Sequence, residues 1–257
     1  MAPQQPQSEW DYQWRRLQDQ EEWLFWDWVA PNKPESFDGK TVLDAGCGPG
    51  HHARCVARHA KRVVAVDFNT AALARERLAD LKNVEVKEGD IARFAPDELF
   101  DVVYCVGVAH HTADPDATVA HLRGLVKPGG RLILWVYARE GNALNRWLLE
   151  PAKSVLIGHL PRGAVLALSH LLTALLYPIV HTVYRLPLGF LPFYEYFANF
   201  RKLSYKRNQL NVFDKLNAPT THFISRKQAE AWMNGLKDVH IAPYVGVSWQ
   251  VSGTKPA

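Results

Sequence analysis

The sequence predicts an α/β fold, a mostly parallel sheet with helices on both faces. Three observations carry that reading. A short apolar run, Val42 and Leu43, reaches Asp44 and opens into a glycine-rich loop, AGCGPG, followed by the helix-like stretch HHARCVARHA. A second apolar run, RVVAVD at 62–67, ends on Asp67, 23 residues after Asp44 and so one strand–helix–strand step away. Further strand-like text within 83–94, within 100–115 and at 131–137 alternates with helical stretches, the pattern of a parallel sheet buried on both sides.

Composition sets the bounds. At 257 residues, 47% of them hydrophobic, the chain can hold one sizeable α/β domain with an insertion. The formal net charge of +4 is mild, and no dense Lys/Arg stripe occurs in the first 200 residues, which disfavours a nucleic-acid partner. Cys47, Cys55 and Cys105 lack metal or C-x-x-C spacing and are expected reduced, in a cytoplasmic protein. The opening MAPQQPQSEW has no basic segment followed by an apolar one, so no secretory signal is read there.

Taken in order, residues 1–8 are Pro/Gln-rich and expected to be unstructured. An N-terminal helical arm or lid, 1–40, holds Trp10, Trp14, Trp23, Trp26 and Trp28, five of the nine tryptophans. Plain packing of these rings on the domain is the favoured reading; the sharper one sets Tyr12 or Trp14 beside a bound cation, which an aromatic face attracts. A turn-rich linker at 31–40 leads to the first strand at 41–45. Then comes the loop. A dinucleotide site wants G-x-G-x-x-G, whose third glycine would fall where His51 stands. Here Gly46, Gly48 and Gly50 alternate, two residues after an acid, and no Gly-Lys-Ser/Thr follows to make a P-loop.

VLDAGCGPG resembles motif I of the class I S-adenosylmethionine-dependent methyltransferases. With VVAVD, EGDI, FDVVYCVGVAHHT and LVKPGGRLIL in the same order, residues 40–138 resemble the UbiE/COQ5-like branch of that family. The text from Ser225 onward resembles the family's last helix and closing hairpin. The resemblance implies a Rossmann-like, seven-stranded methyltransferase sheet, mostly parallel with an antiparallel last strand. It implies S-adenosyl-L-methionine as cofactor, held in a core at 41–138 that 221–257 completes. The implied contacts are Asp44, Gly46, Cys47, Gly48 and Gly50 at the loop, and Val106 at the end of strand four. Asp67 would meet the ribose hydroxyls with Phe68 against adenine; Asp90 would accept from the adenine amino group with Ile91 packed on the ring.

The implied reaction is displacement of the sulfonium methyl by a substrate nucleophile. His111, and after it His110, are the candidates for proton acceptor, since imidazole titrates near neutrality. The pairs His51–His52 and His110–His111 find no carboxylate or cysteine at metal-site spacing, so no metal is expected.

Residues 139–220 exceed the minimal fold and are read as a helical, partly amphipathic substrate lid after strand five. No charged residue falls between Arg162 and Arg185. Leu168, Leu172, Leu175, Leu176, Ile179 and Val183 share one arc, expected to pack on the domain; His170, Thr173, Tyr177, His181 and Tyr184 share the other, expected to meet a pocket, a partner or a lipid headgroup layer rather than bulk water. The arcs and Pro178 argue for a lid rather than a span, with peripheral membrane contact as the alternative. Arg201, Lys202, Lys206 and Arg207 read as a solvated basic face, with a membrane-surface or acidic-substrate contact as the alternative. A small, apolar substrate is expected, quinone-, lipid- or natural-product-like. A nucleic-acid methyltransferase and a non-catalytic binder are the other readings.

Overall fold

In the computed structural model, residues 8–17 and 21–257 are described; the Pro/Gln-rich start, 1–7, lies outside the described residues. The chain opens with α1 (Ser8–Arg16) and α2 (Glu22–Trp28). Then β1 (Thr41–Ala45), α3 (His51–Ala57), β2 (Arg62–Asp67), α4 (Ala71–Arg77) and β3 (Val84–Glu88) follow. After them come β4 (Phe100–Val106), α5 (Pro115–Gly124) and β5 (Val126–Tyr137). Four helices, α6 (Glu150–Val155), α7 (Arg162–Thr182), α8 (Tyr194–Phe200) and α9 (Tyr205–Asn217), form the insertion. The chain closes with α10 (Arg226–Met233), β6 (Lys237–Tyr244) and β7 (Ser248–Thr254).

The strands make one sheet in the order β3-β2-β1-β4-β5-β7-β6. All pairings from β3 to β5 are parallel, and β7 runs antiparallel to both neighbours. The period of two along each strand sorts the core into two layers. Leu43, Ala45, Val64, Val66, Val103 and Cys105 face α5 and α10, against Val119, Leu122, Ala229 and Trp232. Val42, Val63, Ala65, Val102, Tyr104 and Val106 face Phe25, Val29, Ala53, Val56 and Leu78 on the other side. Burial on both faces is why these strands read as unbroken apolar runs rather than alternating ones. The second layer also explains the tryptophan-rich arm. Phe25 stacks on His52 at 4.7 Å, Trp26 meets Phe37 edge-on at 5.7 Å, and Trp28 lies 4.8 Å from Trp135.

The insertion departs from its expected arrangement. α7 continues through Pro178 and buries Val165, Ser169, Thr173 and Val180. Of these, Val165 packs with Phe213 and Leu216 of α9, and Leu166, Leu168 and Leu172 lie against that cluster. Of the apolar arc expected to pack, Leu175, Ile179 and Val183 point to solvent instead. Small residues won the buried side because they let α7 approach α9 closely, and Ser169 satisfies its hydroxyl by donating to the Leu166 carbonyl.

Asp44 follows the same pleat as Val42 and Tyr104, so it points into the second core layer, 1% exposed. Burial pushes its carboxyl up to about 7, partly offset by the Tyr104 hydroxyl and the backbone N–H of Ala53 in the first turn of α3. Its ordinary, unfolded value is near 3.9. A raised carboxyl keeps its proton in the folded state while the unfolded chain has lost it, so ionisation opposes folding as pH climbs between those values. Asp44→Asn should therefore gain stability relative to the wild type by up to about 1.4 kcal/mol per pH unit through that window. Urea unfolding of both proteins at pH 5, 6 and 7 checks this. A difference that stays flat with pH would mean that Asp44 ionises normally in the fold.

Candidate active site

A cavity of about 190 Å³, room for many waters rather than one, lies along the carboxyl ends of β1 to β5. Chain segments leaving those ends form its wall: 46–49 after β1, 67–70 after β2, 89–91 after β3 and 106–108 after β4. This is the edge where open α/β sheets bind ligands, because the parallel strands all release their loops there.

The glycines of the first loop serve different purposes. A Cβ on Gly46 would stand 2.6 Å from a Val108 methyl, so the residue lets the loop lie against the end of β4. At Gly48 a Cβ would meet only the Trp14 indole, at 3.7 Å, and its free side opens on the cavity. Gly50 does not line the cavity; it starts α3 in a left-handed conformation with Leu78 pressed against it.

Asp67 bridges two chain segments. Its Oδ2 accepts from the Gly48 N–H at 3.0 Å, and its Oδ1 accepts from the N–H groups of Asn69 and Thr70, each at 2.8 Å. One carboxylate thus joins the glycine loop to the start of α4. Asp90 accepts from the Ala92 N–H at 2.9 Å through Oδ1. Phe68, Ile91, Val106 and Cys47 supply apolar wall between the two carboxylates and the loop.

The opposite wall comes from α1 and α9. Trp10 and Trp14 line it, whereas Tyr12, the residue read as a cation neighbour, turns to the far side of α1 and packs on Phe213 at 6.2 Å. From α9, Arg207, Leu210, Asn211 and Asp214 face the cavity. Arg207 is 7% exposed, with its guanidinium 5.5 Å from the Trp28 ring centre, so it does not belong to a solvated basic face. Asp214 Oδ1 accepts from Gln13 Nε2 at 2.8 Å, and Oδ2 accepts from the Tyr137 hydroxyl at 3.1 Å. That carboxylate ties α1, β5 and α9 together at the deep end. The spacing 207, 210, 211, 214 is one helical arc and was legible in the sequence.

His111 sits in this wall. Its Nδ1 is 2.7 Å from the Thr220 carbonyl, which can only accept, so Nδ1 carries the proton and Nε2 keeps its lone pair. Burial holds the imidazole below its ordinary value, with nearby Asp214 pulling the other way. His110 does not reach the cavity. It is fully buried against His111 and Tyr137, and burial keeps it neutral, well below the ordinary range. Asp44 is likewise beneath the loop rather than in the wall. His170, Thr173, Tyr177, His181 and Tyr184 are absent from the lining because α9 stands between α7 and the cavity. Thr173 bonds within its own helix, Tyr177 stacks near His181 and Tyr205, and Tyr184 meets Phe197. Among the described residues no cluster of three or more His, Cys, Asp or Glu could hold a metal.

The profile of a family described as "Methyltransferase domain" matches residues 43–134, which run from β1 into β5 and include the glycine loop, Asp67 and Asp90. The likeness to a methyltransferase domain therefore rests on residues 43–134. The chain is similar to a "Ubiquinone biosynthesis O-methyltransferase" of Ralstonia nicotianae, 33% identical over 145 residues, covering 53% of this chain and 58% of that one. It is also similar to a "tRNA U34 carboxymethyltransferase" of Methylococcus capsulatus, 34% identical over 144 residues, 53% of this chain and 40% of that one. The chain thus spans about half the length of the curated relatives it matches. Among solved structures, the N-methyltransferase NodS from Bradyrhizobium japonicum shares the fold, with a TM-score of 0.51, 12% identity, and coverage of 92% and 94%.

The cofactor of such a domain is S-adenosyl-L-methionine, and the wall fits its chemistry. Two carboxylates stand at the ends of β2 and β3, a side-chain-free backbone at Gly48 allows close approach, and indole rings face the region where a cation would lie. Asp67→Ala should weaken S-adenosylmethionine binding by about 1.5–3 kcal/mol, the worth of lost hydrogen bonds to a charged group. Isothermal titration calorimetry, with circular dichroism to confirm folding, reads this directly. An unchanged Kd would assign Asp67 to the loop alone.

Proposed function

We propose that the whole protein is an S-adenosylmethionine-dependent methyltransferase whose acceptor is a small, largely apolar molecule carrying an ionisable hydroxyl. The observation that carries the reading is a single cavity with two unlike ends. The carboxylates and open backbone of the sheet edge suit the cofactor. The deeper wall of Trp10, Trp28, Trp135, Val108 and Leu210 suits an apolar ring or chain. His111, Tyr137, Arg207 and Asp214 are the polar groups that would orient it.

When bound, the cofactor supplies an electrophilic methyl group on sulfur. The chain's residues do the rest. The loop and the arm would hold both reactants close together and out of water. His111 Nε2 would take the proton from the acceptor hydroxyl, with Thr220 fixing the tautomer. In this reading residues 1–40 are the arm, 41–138 with 221–257 the core, and 139–220 the substrate-facing insertion, acting through α9.

The run of motifs supports the UbiE/COQ5-like branch, and the relatives named for ubiquinone biosynthesis support a quinone-type acceptor. The relatives named for tRNA modification support a second reading, an RNA acceptor. The cavity favours the first: among the described residues Arg207 is the one Lys or Arg in its lining, whereas nucleic-acid sites gather several around the mouth. Transfer of tritiated methyl into a cellular lipid extract, and not into total RNA, is the expected outcome; label in RNA would reverse the choice.

His111 also gives a pH signature. Its lowered value keeps the base form populated below the ordinary histidine range, so kcat/KM should hold its plateau to lower pH than a free imidazole would allow. His111→Gln should cut kcat by roughly 100-fold or more, remove that acidic limb and leave cofactor affinity nearly intact. Retained turnover with collapsed cofactor affinity would make the residue a pocket wall.

A further inference from the structure

α7 and the turn after it carry an apolar face that nothing among the described residues covers. Leu171, Leu175, Ile179, Val183 and Leu186 recur three or four residues apart, all exposed, and Phe190 beyond them is 82% exposed. The segment Arg162–Arg185 is long and apolar enough to cross a bilayer, yet only 22% of its most apolar window is buried. The preceding segment adds Trp147, at 76% exposure, with Leu148, Val155 and Leu156. It adjoins α7 through Leu149, Ile157 and Leu166. Soluble monomers rarely leave so many large apolar side chains together in water.

Charge says what covers this surface. No Asp or Glu occurs between Glu150 and Glu195. Arg185 closes one end of the stripe, and Lys202 and Lys206 flank Tyr205, whose ring meets Tyr177 of α7 at 5.2 Å. A strip free of acids from 151 to 194, apolar along its length and bordered by cations, suits the headgroup boundary of an anionic bilayer, and the exposed Trp147 indole lies in the segment just before it.

We propose that this face of the insertion lies flat on an anionic phospholipid bilayer, making the protein a peripheral membrane protein. α7 does not span. Its other side packs Val165 against Phe213 and Leu216 of α9, and Gln209 of α9 donates to Ser169, at 3.4 Å. α9 in turn walls the cavity, so pulling α7 into the bilayer would strip the site of its support. Lying flat leaves that packing intact and sets the insertion of the candidate enzyme beside the solvent in which an apolar acceptor would dissolve.

The test is flotation of the full-length protein with phosphatidylcholine vesicles, with and without phosphatidylglycerol. It needs no methyl transfer, so its result stands apart from the assignment of activity. The wild type should float with the anionic vesicles. Leu171→Gln/Leu175→Gln/Ile179→Gln, which changes only exposed side chains, should lower the partition by about tenfold or more while keeping its melting temperature. Trp147→Ser should lower it as well. Wild type that stays in solution with both vesicle types overturns the proposal, as does a triple variant that floats like the wild type. Sedimentation separates the remaining occupant: a wild-type dimer that the triple variant breaks, without vesicle binding, would mean that a second copy of this chain covers the face.

Discussion

The Asp67 carboxylate holds the site's geometry. Its two oxygens take three backbone N–H groups from two different loops, Gly48 on one side and Asn69 and Thr70 on the other. Backbone donors of a loop at a sheet edge must find acceptors or water. Here one side chain at the end of β2 serves three of them, and this fixes the glycine loop against the start of α4. The loop can come so near because Gly46 leaves room for Val108 at the end of β4. The cavity is the space left when those chain ends are drawn together.

The outer wall depends on α9. One arc of this helix, Phe213 and Leu216, takes up α7; another, Arg207 to Asp214, faces the cavity. Its polar residues also hold the N-terminal arm. Gln13 donates to Asp214 and Asn217 Nδ2 donates to the Glu9 carbonyl at 2.9 Å, while Arg162 at the start of α7 adds an ion pair with Glu9 at 2.6 Å. The arm, the insertion and the sheet therefore meet at one helix. A change that loosens α9 would disturb the wall that Arg207, Leu210, Asn211 and Asp214 form while leaving Asp67 and Asp90 in place.

Helix α7 shows the consequence of that arrangement. Because α9 takes the position over the crevice, α7 is held one layer out, and among the described residues its Leu171, Leu175 and Ile179 side stays exposed. The cost of the unpaired apolar side is what makes the surface informative: about 25 cal/mol for each Å² of apolar area left in water is a persistent drive toward some covering.

The sequence by itself determined the sheet, the glycine loop and the carboxylates at the ends of β2 and β3. Strand spans 41–45 and 62–67 read from the sequence coincide with β1 and β2. A buried parallel strand needs an apolar run, and its end is marked by the turn that follows, so both signals are local. The helix faces were decided by the tertiary structure. Tyr12 against Trp10 and Trp14, His110 against His111, and α7 against α9 are choices between arcs of the same helix or turn. A helix presents several arcs, and which one is buried depends on the element packed against it, often far away in sequence. Gln13 reaching Asp214, 201 residues on, is such a contact. Asp44 obeyed the same rule on a strand: the pleat turned it inward to the core, and only the layer packed there, with Tyr104 and α3, showed that it lies beneath the ligand loop rather than in its wall.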